Sequence, residues 1–247
     1  MANQRYGLKE VANVIFFDVA TGKPVIFFDT LKVSTIENAS ESAEVTGGQG
    51  NNRLMSWDFG RTATLTLQDA LLSDTTISLL SGNAVKNADV QLVGREVLTV
   101  TDNAGSFEVS LSQTPDTNSV TVYKMAGSIM DEEITGATVS SKNVTLTTGV
   151  EAGDRVMVFY TYKLATGASQ ITFSGNAFPA TYKVVGDTVV KGEDGVNRKM
   201  QFIIPKAKLQ SAFTLTMDSA NVATFDLTLD VLLDTENDKL YDIIRVN

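Results

Sequence analysis

The sequence predicts an all-β protein. Three observations carry that: short runs in which apolar and polar residues alternate, turn-forming residues between them, and a single segment with a helical pattern. Alternation is clearest in Thr62-Ala63-Thr64-Leu65-Thr66-Leu67, Phe213-Thr214-Leu215-Thr216-Met217 and Phe225-Asp226-Leu227-Thr228-Leu229. Period two sets one row of side chains on a core and the other toward solvent or a partner. The helical segment lies within Asp69 to Leu80. Ser73 or Asp74 caps its start, Ile77, Leu79 and Leu80 form its apolar face, and Gly82 ends it.

The chain opens with a hairpin, Asn13 to Val19 and Val25 to Val33, around the turn Ala20-Thr21-Gly22-Lys23-Pro24. Each strand carries an apolar triplet, Ile15-Phe16-Phe17 and Ile26-Phe27-Phe28. Neighbouring residues of a strand point to opposite faces, so both faces here need cover. Either Phe16 and Phe27 serve a core and a neighbouring subunit between them, or the strands are central in a sandwich. Next comes a polar, glycine-rich stretch, Asn38 to Leu54, which holds Glu44, Gly47, Gly48, Gly50, Asn51 and Arg53. It has little to bury and reads as a long loop that orders against another subunit. Trp57 anchors the start of the following strand, Met55 to Leu67, in a core or a subunit contact.

From residue 86 to 167 the texture changes to short runs rich in Val, Thr and Tyr. They are Asp89 to Val93, Glu96 to Thr101, Ser106 to Leu111, Ser119 to Met125, Asn143 to Thr147 and Arg155 to Tyr162. This spacing predicts a small inserted β-sandwich, so the chain divides into residues 1–85 with 168–247, and 86–167. Further strands are expected at Ser169 to Asn176, Ala180 to Val190, Lys199 to Pro205, Ala212 to Asp218, Val222 to Leu233 and Lys239 to Val246.

Composition narrows the chemistry. The 247 residues include neither histidine nor cysteine. Ser-His-Asp and Cys-His catalysis, histidine-bound zinc, thiolate metal sites and disulfides are therefore excluded. No catalytic residue, metal site or cofactor is expected, and the chain is not read as an enzyme. A carboxylate-based glycosidase is the one enzymatic alternative. No apolar run approaches the ~20 residues of a membrane span, and the N-terminal residues do not read as a secretory signal. The net charge of −9 is spread out: ten acidic and six basic side chains give −4 within residues 86–165. Such a chain should not grip nucleic acid, whose affinity comes from Lys and Arg on phosphates.

Three motifs have plainer readings than their chemical ones. Gly47-Gly48-Gln49-Gly50 lacks the Lys-Ser/Thr of a phosphate loop. Asp234, Glu236 and Asp238 lack the glycine and closing glutamate of a calcium loop and read as a solvated turn. Asp131-Glu132-Glu133 reads as an exposed acidic turn, and Tyr123, Tyr160 and Tyr162 as strand residues in core packing, a sugar-binding surface being the alternative.

The run GGQGNNRLMSWDFGRTATLTLQDALLS, with the later FPATYKVVGDTVV and GVNRKMQFIIPKAKLQSAFTLTMDSANVATFDLTLDVL, resembles tail tube (major tail) proteins of bacteriophages infecting Gram-positive bacteria. The likeness covers about 150 residues at the two ends and leaves out the middle block. It implies a tail-tube-like β-sandwich or half-barrel with one flanking helix, Asp74 to Ser81, and an inserted immunoglobulin-like module at residues 86–167; the subunits form hexameric rings that stack into a DNA-conducting tube. It further implies a homo-oligomer in the virion tail, assembled in the host cytoplasm, with sheath or tape-measure proteins as further partners and DNA passing without specific binding. No membrane partner is expected. Asp226 and Asp230, on the polar face of a late strand, become candidates for the acidic lumen wall. A capsid decoration or adhesion protein whose module binds a cell-surface glycan is the alternative.

Overall fold

The computed structural model describes residues 5–219 and 224–246. The first strands are β1 (Tyr6–Leu8), β2 (Asn13–Asp18), β3 (Pro24–Phe28), β4 (Leu31–Gly47) and β5 (Asn52–Asp69), followed by helix α1 (Asp74–Ser81). Then come β6 (Val90–Thr99), β7 (Thr101–Asn103), β8 (Ser106–Ser110), β9 (Thr121–Ala126), β10 (Ile129–Ile134), β11 (Thr138–Ser140), β12 (Asn143–Leu146) and β13 (Arg155–Leu164). The last are β14 (Thr181–Gly192), β15 (Asn197–Leu209), β16 (Phe225–Val231) and β17 (Asp242–Arg245). The chain is all-β with several antiparallel sheets and one short helix. It divides into two compact units, residues 1–85 with 171–247, and residues 86–170.

In the first unit a nine-stranded sheet runs β3-β2-β14-β15-β16-β5-β4, with β1 added on β14 and β17 on β15. Alternation decides its faces. Phe225, Leu227, Leu229 and Val231 are buried, while Asp226 and Asp230 between them are exposed. Their partners follow suit, Leu227 lying opposite Leu67 and Leu229 opposite Leu65. Strands from both ends of the path supply one core, in which Phe16 packs edge-on to Phe28 at 5.2 Å and stacks on Tyr182 at 5.6 Å. Burying each such side chain contributes about 1.5–3 kcal/mol. The expected strand Val25 to Val33 breaks at Asp29-Thr30, where Thr30 Oγ1 donates to Asp69 Oδ1 at 2.5 Å and turns the chain into β4. Among the described residues β3 pairs only with β2 and β4 only with β5, so both ends of the path are open edges.

Helix α1 has the expected bounds. Ser73 is its N-cap, accepting from the Thr76 amide at 3.1 Å, and Gly82 closes it at φ 68°. Leu80 carries the helix onto the core.

Two expected strands are absent. Residues 171–180 and 210–219 form none, although Phe213 alternates with Leu215 and Met217. The reason is packing: Phe213 lies against Phe173 and Phe225 at 5.2 and 5.6 Å, while Leu215 and Met217 stay exposed. Val222 and Ala223, at the head of the next expected strand, lie outside the described residues.

The second unit packs a β10-β9-β13-β6 sheet on a β11-β12-β8-β7 sheet around its own core, which includes Val109, Val122, Val144, Val156 and Tyr160. Its ends meet in one antiparallel bridge, Lys86 with Gln170, bonded at 2.9 and 2.8 Å. Two expected strands merge into β6 because Gly94 is not a breaker. It lies opposite Tyr160, whose ring atom Cζ would stand 2.7 Å from any Cβ at that position. Asp131-Glu132-Glu133 is no turn; it belongs to β10, and the turn falls at Gly127, φ 67°.

Candidate assembly interface

The segment expected as a pliant loop is a paired ribbon. β4 and β5 stay paired out to Gly47 opposite Asn52, and Gly48-Gln49-Gly50-Asn51 is the turn. Gly48, Gly50 and Asn51 have φ of 78°, 87° and 49°, the left-handed backbone that glycine and asparagine tolerate. The polar residues of 38–47 were misleading because a ribbon with solvent on both faces needs no apolar row on its first strand. Near Ala39 and Glu41 the register shifts and Gly60 takes φ 61°, a bulge where the ribbon leaves the body. From residue 37 to 62 no side chain is buried.

The ribbon is two-faced. Phe59, Trp57 and Met55 lie opposite Glu41, Ala43 and Val45 and make one apolar row. Phe59, Trp57, Met55 and Val45 are 52, 53, 55 and 40% exposed, so none of the described residues covers that row. The other face is polar. Glu44 lies opposite Ser56 and Ser42 opposite Asp58, and Arg53 pairs with Glu44 and donates to Ser56 Oγ at 3.2 Å. The residues singled out in the sequence (Glu44, Gly47, Gly48, Gly50, Asn51, Arg53 and Trp57) are thus brought onto one projecting element. Met55 and Phe59 were missed as site residues; their period-two spacing from Trp57 was the available signal.

Phe16 and Phe27 part company. Phe16 is completely buried and belongs to the core, so it is corrected from contact candidate to structural residue. Phe27 is 54% exposed on the opposite face of an open-edge strand.

Asp226 and Asp230 lie on the exposed polar face of β16. Gln68 Nε2 donates to Asp226 at 2.9 Å and Gln210 Nε2 to Asp230 at 2.8 Å. Register extends the row: Glu37 lies opposite Thr64, Thr64 opposite Asp230, and Asp230 opposite Lys208. Glu37 is therefore a third carboxylate on this wall, missed because residues 34–37 fell between the strand expected to end at Val33 and the loop expected from Asn38.

Asp234, expected in a solvated turn, is only 6% exposed and is the hub of that turn. It accepts from Asn237 Nδ2 at 2.8 Å and stands 3.4 Å from Lys206 Nζ, contacts that hold its carboxyl below the usual range, the Asn237 bond foremost. In the module, Tyr160 is buried and donates its hydroxyl to Glu96, while Tyr123 meets Phe159 edge-on at 6.2 Å. Among the described residues no cluster of three Asp or Glu could hold a metal ion, and no helix is long and apolar enough to cross a membrane.

The molecule is an all-β protein that presents an uncovered two-faced ribbon and a polar, carboxylate-bearing sheet wall. Its sequence matches the model of the YomU/Tube protein family over residues 6–246, and the chain belongs to that family. The match runs through the middle block that the sequence resemblance left out. It marks the chain as a phage tube-like structural protein. Among curated proteins none matches.

Proposed function

We propose that this protein is a tail tube subunit of a bacteriophage virion, which self-assembles without catalysis or cofactor into stacked hexameric rings that conduct DNA. The observation that carries this reading is the apolar row Met55-Trp57-Phe59 standing uncovered on a two-stranded ribbon. Such ribbons are marginal alone in water, and contiguous exposed apolar surface marks interaction sites. The open edges at β3 and β4 support the same conclusion, since unpaired strands are templates for another copy. The wall of Glu37, Asp226 and Asp230 suits a lumen, because carboxylates repel phosphates and give DNA a passage that does not bind it. Sheath or tape-measure proteins would be the neighbours in the tail, which is assembled in the host cytoplasm.

Negative-stain microscopy of the purified protein tests the reading. Rings or tubes are expected; strictly monomeric particles at high concentration would overturn it.

A further inference from the structure

The first unit also contains a cleft of about 410 Å³ between the chain leading from β1 into β2, the start of β4, and β17. Its floor is apolar, formed by Ile36, Leu65 and Phe202, and the exposed Lys9 and Lys32 stand on its rim with Glu10. Pockets that hold a compact apolar group run from roughly 300 to 1,000 Å³, so an aromatic side chain and its neighbour fit here. Ile243 and Val33 are 55 and 45% exposed at its mouth, apolar surface open to water.

We infer that this cleft is the receptor for the apolar row of the ribbon of a second copy of the chain, with Trp57 as the anchor. The inference rests on the self-assembly reading and adds the surface that receives the ribbon. Two observations choose the occupant. The first is charge: residues 41–59 carry Glu41, Glu44 and Asp58 against Arg53 alone, whereas the rim has two lysines to one glutamate. The second is reach. Leu65 in the cleft floor and Trp57 share strand β5, and at about 3.3 Å per residue they stand some 26 Å apart. A ribbon rooted in the cleft's own wall cannot bend back into it, so only another molecule's ribbon can enter. The contact joins unlike surfaces and continues from copy to copy.

Trp57 is the chain's one tryptophan, so its emission reports the contact directly. Three proteins suffice. The wild type should form tubes, with Trp57 emission moving to the blue as they grow. A cleft variant, Val33→Asp with Ile243→Asp, changes exposed positions and keeps Trp57. A ribbon variant, Met55→Asp with Trp57→Ser, keeps the cleft. Each variant alone should stop short of tubes, with wild-type circular dichroism and melting. Mixed, they should join once, intact ribbon into intact cleft, giving two-layer particles that do not extend and a blue shift from the cleft variant's Trp57. A second cleft variant, Lys9→Glu with Lys32→Glu, guards against misfolding; it should assemble at least tenfold more weakly, with the deficit shrinking in high salt. Should the cleft variants form tubes as the wild type does, or the mixture fail to join, the receptor is elsewhere and the tube reading stands. A wild type that never associates removes both.

Discussion

Gly186 is a glycine because Phe202 lies across it. The two are register partners on β14 and β15, and a Cβ on Gly186 would overlap the phenyl ring. Gly186→Ala should therefore cost about 1–3 kcal/mol, read as a fall in melting temperature that a second change, Phe202→Leu, partly restores. Tyr160 makes a different sort of demand. Burial, and the Glu96 carboxylate to which it donates, push its hydroxyl up to about 12 from an ordinary 10.0. Burial opposes ionisation of Glu96, but the donors Tyr160 and Ser112 outweigh it and hold that carboxyl below its usual range. Between pH 10 and 12 the unfolded phenol is ionised while the folded one keeps its proton, so the native state binds more protons and stability falls as pH rises. Melts across that window should show this loss for the wild type and a smaller one for Tyr160→Phe; equal slopes would show that the bond contributes nothing. The partners of Gly186 and of Gly94, which lies opposite Tyr160, could not be named from sequence, since a glycine in a strand pattern marks either a break or a close approach until the opposite strand is known.

Elements were legible to the degree that one face is covered. The row Phe225, Leu227, Leu229 predicts its strand because burial on one side and water on the other leave period two in the residues themselves. The same pattern misled at Phe213, Leu215 and Met217, where one ring finds an aromatic cluster and the others find no strand to pair with. The ribbon failed in the opposite sense: residues 38–47 are strand, yet water bathes both faces and leaves polarity as the only trace. Two predictions belong at this scale. Ser73→Ala removes the cap accepted from the Thr76 amide and should cost about 1 kcal/mol, seen in chemical denaturation. Replacing residues 41–59 by an Asn-Gly turn removes no buried side chain, so the melting temperature should hold to within about 0.5 kcal/mol of stability, while tubes disappear from micrographs. Normal tubes from that protein would exclude the ribbon as an assembly element.

At the scale of the whole molecule, two cores are built from one chain. The module of residues 86–170 has its own apolar cluster, and its ends are hydrogen-bonded to each other through Lys86 and Gln170. Excising it and joining Val85 to Ile171 should leave the first unit folded, and residues 86–170 alone should melt as one cooperative transition; a molten product in either case would show that the cores depend on each other. Sequence texture predicts an inserted block through a shift toward short Val- and Thr-rich runs, although it broke β6 in two and missed β10 and β11. The proposed relation of ribbon to cleft was not legible at all, because it depends on Leu65, Phe202 and Ile243, from three strands far apart in the sequence, lining one cleft. That relation has a directional outcome. A column joined by ribbon and cleft shows bare tryptophans at one tip and vacant hollows at the other, so the factors that begin it and finish it would have to be different molecules with opposite shapes.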